Sequence, residues 1–159
     1  MKITLEEALA KVESHMQAGG HCGPTLMKVM AEAYGFDNPD FLWAAMAFRG
    51  GLAGIQAGPC GAISATAVCL GLRHRCPPGD GVRAEQEDAA MERETQELVN
   101  SFREKFGAIS CRELTGVDLS LPGALEAARG SDLFTRICPG YVKYAVAKLY
   151  EIEAKRDQP

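Results

Sequence analysis

Apolar residues at helical spacing, interrupted by glycine and proline, constrain this 159-residue chain more than any other feature. Apolar side chains recur every three or four residues between these breaks, which is typical of amphipathic helices, and almost no alternating strand pattern is present. We therefore expect an all-α fold, a multi-helix bundle in a single domain spanning residues 1–159. The predicted helices cover about 4–16, 23–34, 38–50, 60–74, 82–106, a short stretch from Ser110, and 138–154.

Charge and composition exclude several classes of partner. The net charge is −4, with no basic excess to hold a nucleic-acid backbone or an anionic membrane. The first residues lack the apolar core of a secretory signal, and Thr4 and Glu7 instead have capping-box spacing. The longest uncharged stretch, 50–72, is interrupted by polar residues, glycine and proline, which argues against a membrane span. We expect a cytoplasmic protein with no nucleic-acid or membrane partner.

Four of the six cysteines, Cys22, Cys60, Cys111 and Cys138, lie where a helix is predicted to begin. A helix start presents unpaired backbone N–H groups and partial positive charge, which favour a thiolate over a thiol. Pro139, directly after Cys138, suits a first helical turn. One such cysteine would mean little, because free cysteine is a common buried small hydrophobe. Four of them predict a shared site.

Six cysteines in a reducing compartment favour metal binding or thiol redox chemistry over a disulfide framework. The short-spaced metal motifs C-x-x-C and H-E-x-x-H are absent, and no C-x-x-C-H motif is present for covalent haem. Ligands would have to come from distant helix starts that point at one pocket, where helix dipoles favour an anion. A two-iron two-sulfur cluster with four thiolates is such an anion, and zinc with four thiolates is another. Thiolates that pair as reversible disulfides are a further alternative.

The segment Pro59-Cys60-Gly61-Ala62-Ile63-Ser64-Ala65, followed by Val68-Cys69-Leu70-Gly71-Leu72, resembles the central motif of the C_GCAxxG_C_C family of redox-active proteins. Cys22 is placed like the first cysteine of that family, and the segments 106–116 and 138–142 are similar to those that hold its third and fourth cysteines. The resemblance implies a redox role for four cysteines. A related module occurs with split-Soret cytochromes, for which an iron-sulfur centre is expected.

The remaining candidates give weaker signals. Cys69 lies within an apolar helix and is interpreted as a buried hydrophobe, and Cys76 lies in a proline- and glycine-rich loop as an incidental thiol. His21 precedes the first of the four cysteines and is a candidate to replace or hydrogen-bond a ligand. Arg112 and Arg136 flank the third and fourth cysteines and would raise the reduction potential of a cluster if they faced it.

The predicted helix 82–106 combines an apolar stripe with an acidic face. We interpret the acidic face as solvated, since runs of charge on a helix usually face water. The acidic residues of this helix considered as an alternative metal or partner site are Glu85, Glu87, Asp88, Glu92, Glu94 and Glu97.

The leading hypothesis is a redox protein in which Cys22, Cys60, Cys111 and Cys138 bind a two-iron two-sulfur cluster for electron transfer or redox sensing. A thiol-disulfide oxidoreductase or sensor that uses the same cysteines is the first alternative, and a module with structural zinc is the second. No acid-base pair marks a stand-alone enzyme. A redox partner protein is implied, and a homodimer is compatible with the sequence.

Overall fold

A computed structural model describes residues 1–36 and 38–156. Within them the chain forms eight α-helices and one 3-10 turn, with no strand, which confirms the predicted all-α multi-helix fold. The helices are α1 (Leu5–Gln17), α2 (Cys22–Tyr34), α3 (Asp40–Ala44), α4 (Gly61–Arg73), α5 (Gly81–Phe106), α6 (Cys111–Thr115), α7 (Ala124–Gly130) and α8 (Leu133–Arg156), and the 3-10 turn is Met46–Phe48.

Local signals set the ends of the first two helices. Thr4 caps α1 through the complete capping box predicted with Glu7. Gly35 ends α2 in the left-handed conformation, where its N–H bonds back to Glu32 O. The helix boundaries predicted here agree with the structure within one residue.

The third predicted helix is wrong in extent. The segment from Asn38 to Gly50 divides into α3 and the 3-10 turn, which meet at Ala45. Ala45 is fully buried whereas Trp43 is 71% exposed, so the apolar residues do not form one continuous buried face. Helix α7 was not predicted at all, because its small and polar residues carry no strong apolar period.

The last helix begins at Leu133 rather than at the predicted Cys138, which corrects the helix-start assignment of that cysteine. The Ser131 hydroxyl accepts a hydrogen bond from Leu133 N–H at the beginning of the helix. Pro139 lies inside α8, where it lacks only the N–H that would reach Thr135 O. Half-buried Leu133, Phe134 and Ile137 extend the apolar face before Cys138 and explain why the helix starts earlier.

The core lies where α2 packs against α4 and α8, with α1 against α2 and α8 and α5 against α4 and α8. Its largest fully buried side chains include Leu26, Met30, Leu70, Phe102 and Leu149. Across residues 1–36 and 38–156, no helix is both long enough and apolar enough to cross a bilayer.

An aromatic cluster packs α5 against α8 in the second half of the chain. Phe102 and Phe106 of α5 pack against Tyr141 and Tyr144 of α8, with ring centroids 4.6–5.8 Å apart. The Tyr141 hydroxyl donates to Leu114 O at 3.0 Å and so ties α8 to α6. The turn of α8 that carries Cys138 is therefore held beside the start of α6.

The acidic face of α5 is only partly solvated. His74, which caps α4, is 4% exposed, and its two ring nitrogens lie 2.7 Å from carboxylate oxygens of Glu87 and Glu94. The hydrogen bond from His74 lowers the pKa of Glu87. Two of the acidic residues interpreted as solvated thus hold α5 against α4.

Candidate functional site

Two helices begin in contact with each other at the site. Cys22 is the first residue of α2, and Cys60 caps the N-terminus of α4. The Cys22 sulfur lies directly over Gly61, only 2.6 Å from where a β-carbon at that position would be. A β-carbon at Gly61 would also collide with the carbonyl oxygen of Phe48. The two helix starts approach this closely because residue 61 has no side chain.

Cys22 receives hydrogen bonds from both helix starts. The Cys60 thiol donates to its sulfur and is the largest cause of a Cys22 pKa lowered to about 6. Backbone N–H groups of Gly50, Gly23 and Gly61 add to this effect and outweigh the opposing influence of burial. Converging N–H groups at helix N-termini stabilise an anion. Cys22 is partly exposed, so its thiolate is accessible at neutral pH.

Cys60 and Cys111 are held side by side by backbone pairing. Pro59 and Ser110 form an isolated antiparallel bridge, in which Cys60 N–H donates to Ile109 O at 2.7 Å and Cys111 N–H donates to Gly58 O at 3.2 Å. Ser110 caps α6 by accepting from Glu113 N–H. Contact with Cys22, burial and the Cys22 charge raise the pKa of Cys60. Burial and the Cys22 charge also raise the pKa of Cys111.

Cys138 completes the group from the second turn of α8. Burial raises the pKa of its thiol to about 12, with further contributions from the charges of Cys22 and Cys111. The charge of Cys138 in turn influences Cys60. The structure therefore brings Cys22, Cys60, Cys111 and Cys138 within electrostatic reach of one another, while the expectation that each helix start favours a thiolate holds for Cys22 alone.

A metal site requires several donor side chains close to one point. In the described part of the chain, no three histidine, cysteine, aspartate or glutamate side chains are grouped so that they could hold a metal ion. Zinc with four thiolates needs its donors around one point and stays a prediction. Four cysteine thiols are the donor set of a two-iron two-sulfur cluster, and their role as its ligands stays a prediction.

A left-handed turn wraps over the cysteines. Gly50, Gly51, Leu52 and Ala53 have φ of 58°, 59°, 74° and 49°, and this run is disfavoured for residues other than glycine. A β-carbon at Gly51 would lie 2.6 Å from the β-carbon of Cys111. The turn thus brings the Gly50 N–H to Cys22 and packs its next residue against Cys111.

Gln56 anchors this turn from inside the protein. The residue is fully buried with φ of 63°. Its carboxamide donates to Thr115 Oγ1 at 3.2 Å and accepts from Leu119 N–H at 2.7 Å. It also hydrogen-bonds Cys111, which opposes the rise in the pKa of that thiol. Gln56 therefore joins the turn to α6 and to the segment that follows α6.

The other candidates lie outside this hydrogen-bonded group. Arg112 pairs with Asp118 at 3.1 Å, and Arg136 pairs with Asp132 at 3.7 Å on the surface. His21 precedes Cys22, and loss of solvent around its ring together with the charges of Arg49 and Arg129 lowers its pKa.

The two extra thiols have the places that the sequence predicts. Cys69 is fully buried in α4, where burial raises its pKa to about 12. Cys76 is half-buried in the loop after α4.

The sequence analysis missed the residues that shape the thiolate environment. Gly23 and Gly61 each follow a site cysteine, and this repeated Cys-Gly pair is a signal for close helix approach that could have been used. In the sequence, the adjacent Gly50 and Gly51 predict only the end of a helix. No local signal identifies Gln56, because its partners are 59 and 63 residues away along the chain.

The low pKa of Cys22 predicts a pH profile for its alkylation. Iodoacetamide labelling of Cys22, followed by mass spectrometry, should rise through a midpoint near pH 6, because the thiolate forms above its pKa. Cys60→Ala removes the main hydrogen bond and should move the midpoint upward. Cys69→Ala is the matched control and should leave it unchanged. An unshifted midpoint in Cys60→Ala would rule out the Cys60 thiol as the cause of the lowered Cys22 pKa.

The close packing at residue 61 predicts that one added methyl group there lowers the stability of the fold. Gly61→Ala should lower the free energy of unfolding in urea by about 1–3 kcal/mol, because the new β-carbon overlaps the Cys22 sulfur and the backbone of Phe48. Gly140→Ala in α8 is the control, since its β-carbon meets no atom within 4 Å and alanine favours a helix by about 1 kcal/mol. Equal effects of the two substitutions would contradict this packing argument.

Comparison with known proteins identifies the family of the chain. The model of the family described as "Putative redox-active protein (C_GCAxxG_C_C)" matches residues 20–152, a range that includes all four site cysteines. No curated protein and no solved structure matches the chain significantly. The match spans most of the sequence, and the chain belongs to the C_GCAxxG_C_C family of redox-active proteins.

Proposed function

We propose that this protein carries out thiol-disulfide exchange, with Cys22 as the attacking thiolate and Cys60 as the resolving thiol. The observation that carries the proposal is the close approach of the starts of α2 and α4, where the Cys22 sulfur lies over Gly61 and the neighbouring Cys60 thiol lowers the pKa of Cys22. Cys22 is ionised and partly exposed, whereas Cys60 is protonated and buried. Their properties match the two different roles that exchange requires.

The first step uses the charge on Cys22. Its thiolate attacks one sulfur of a disulfide in a partner, which forms a mixed disulfide and releases the other partner sulfur as a thiolate. A pKa of about 6 keeps Cys22 ionised at neutral pH and near the range where a thiolate combines abundance with nucleophilicity. The partly exposed sulfur allows the partner to approach.

The second step follows from the loss of that charge. Contact with Cys22 and its negative charge are among the causes that raise the pKa of Cys60. Once Cys22 is in a mixed disulfide it is neutral, so this opposition to Cys60 ionisation disappears. Cys60 loses a proton and attacks the Cys22 sulfur, which releases the second partner thiolate. The two cysteines are oxidised by two electrons, and the partner disulfide is reduced to two thiols.

Trapping of the mixed disulfide tests this assignment. With glutathione disulfide as the probe, Cys60→Ala should accumulate a stable adduct at Cys22, because the resolving thiol is absent. Cys22→Ala should react at least about tenfold more slowly, since the other thiols are largely protonated. The control Cys69→Ala should behave like the unmodified protein, and mass spectrometry of intact and digested protein reads each species. Adducts that form at Cys76 instead would contradict the assignment.

A two-iron two-sulfur cluster is the second candidate function, and the electrostatic influence of the four cysteines on one another supports it. Burial and the negative charge of Cys22 raise the pKa of Cys111 and Cys138, and contact with Cys22, burial and its charge raise that of Cys60. Bound iron would supply positive charge and lower the cost of ionising all four thiols. In such a protein Cys22, Cys60, Cys111 and Cys138 would be the ligands, for electron transfer or redox sensing with a partner protein.

Anaerobic reconstitution separates the two candidates. If the cluster is correct, reduced protein given iron and sulfide should gain visible charge-transfer absorption and protect four cysteines from alkylation. Cys138→Ser should abolish that absorption, whereas Cys76→Ser should leave it intact. A colourless product with reversible Cys22 and Cys60 oxidation would exclude the cluster and support exchange.

A further inference from the structure

A polar cavity lies at the ends of α2 and α4 opposite to the cysteines. Its volume is about 450 Å³, and its lining includes Tyr34 at the end of α2 and Arg73 at the end of α4. Both helices have 13 residues, so the cavity is roughly 18 Å from the cysteine site at a rise of about 1.5 Å per residue. The two sites are separate.

The lining of this cavity is strongly cationic in a protein whose net charge is −4. Glu153 is the one carboxylate among the described lining residues, and it already accepts from Arg73 Nε at 3.0 and 3.1 Å. The four lining cations are Lys2, Arg73, Arg75 and Arg83.

The negative ends of α2 and α4 do not balance these charges. Each helix end carries about half a negative charge, so the two together offset about one cation. Glu87, 3.9 Å from Arg83, is shared with His74 and Arg156. Within the described residues, Lys2 and Arg75 take part in no ion pair. Among the described residues, an excess of about two positive charges therefore remains for an anion.

The Tyr34 hydroxyl lies near the Glu153 carboxylate, which is already bonded to Arg73, and makes no well-formed hydrogen bond of its own within residues 1–36 and 38–156. Its oxygen is buried. Burial and the negative charge of Glu153 raise the pKa of this hydroxyl, so it remains a protonated donor. Such orphan groups are rare, because each costs about 1–3 kcal/mol of lost hydration. An acceptor in the cavity would satisfy it.

Arg75 is held in place before any ligand arrives. Its guanidinium lies 5.1 Å from the centroid of the Phe36 ring, and its Nη1 donates to Leu72 O at 2.8 Å. The other side of Phe36 stacks on Tyr34, with centroids 5.1 Å apart. A guanidinium fixed by an aromatic ring loses little freedom when it binds an oxyanion.

We propose that this cavity binds a small phosphorylated molecule. Arginine side chains match the geometry and charge of phosphate oxygens, and the excess of about two positive charges matches one phosphate group. The volume lies in the usual range for small-molecule sites and exceeds what a lone phosphate ion fills. The proposal is independent of the chemistry at the cysteines.

Calorimetric titration of the full chain with inorganic pyrophosphate, at constant ionic strength, tests the proposal. Arg75→Gln should weaken binding about tenfold, because a charge-assisted hydrogen bond is lost. Tyr34→Phe should weaken it about fivefold without lowering the melting temperature of the free protein, since the hydroxyl makes no well-formed hydrogen bond there. The control Arg103→Gln, an exposed cation at the far end of α5, should bind like the unmodified chain.

Three results would overturn the proposal. The first is the absence of any pyrophosphate binding above that of an equal ionic strength of sodium chloride. The second is unchanged affinity in both Arg75→Gln and Tyr34→Phe. The third is tighter binding of citrate than of pyrophosphate, which would assign the cavity to carboxylates instead.

Discussion

The contact between the N-termini of α2 and α4 is the constraint on which the site depends. Gly61 leaves room for the Cys22 sulfur, and Gly23 packs closely on the backbone of Phe48. Because both helices start at this contact, N–H groups from each of them reach the same sulfur. The Cys-Gly pairs at 22–23 and 60–61 therefore have a geometric reason: cysteine supplies the thiol, and glycine allows the second helix to approach it.

Charge then contributes to the different pKa values of the four cysteine thiols. A buried pocket without a cation tolerates one thiolate, since a second negative charge nearby is disfavoured by repulsion and by loss of water. The Cys60 thiol and converging N–H groups favour ionisation of Cys22, whereas burial and the charge of Cys22 raise the pKa of the other three thiols. This inequality supports the proposed division between an attacking and a resolving thiol, and only an added cation would remove it.

Local patterns in the sequence predict most of the helices, because capping residues, glycine stops and apolar periods act within a few positions. Local patterns fail where the structure depends on contacts between residues that are far apart in the sequence. The start of α8 depends on burial of Leu133 and its neighbours rather than on Pro139, so Cys138 has no helix start. The roles of His74 and Gln56 depend on partners brought near by folding. Exchange at Cys22 and Cys60 uses two of the four cysteines that would bind a cluster, so the sequence alone could not choose between the two functions.

The left-handed turn connects stability to the redox state of the site. Leu52 and Ala53 in this conformation each cost roughly 1–2 kcal/mol, which the rest of the structure must offset. The hydrogen bonds of Gln56 supply part of that compensation, and the bond from Gly50 N–H to the Cys22 thiolate supplies another part. In the proposed cycle, oxidation makes Cys22 neutral. It therefore weakens the bond from Gly50 N–H but leaves the hydrogen bonds of Gln56 unchanged. The strained turn is then less well compensated in the oxidised protein, while Gln56 still holds its end, so oxidation loosens residues 50–54 in preference to the helices that they connect.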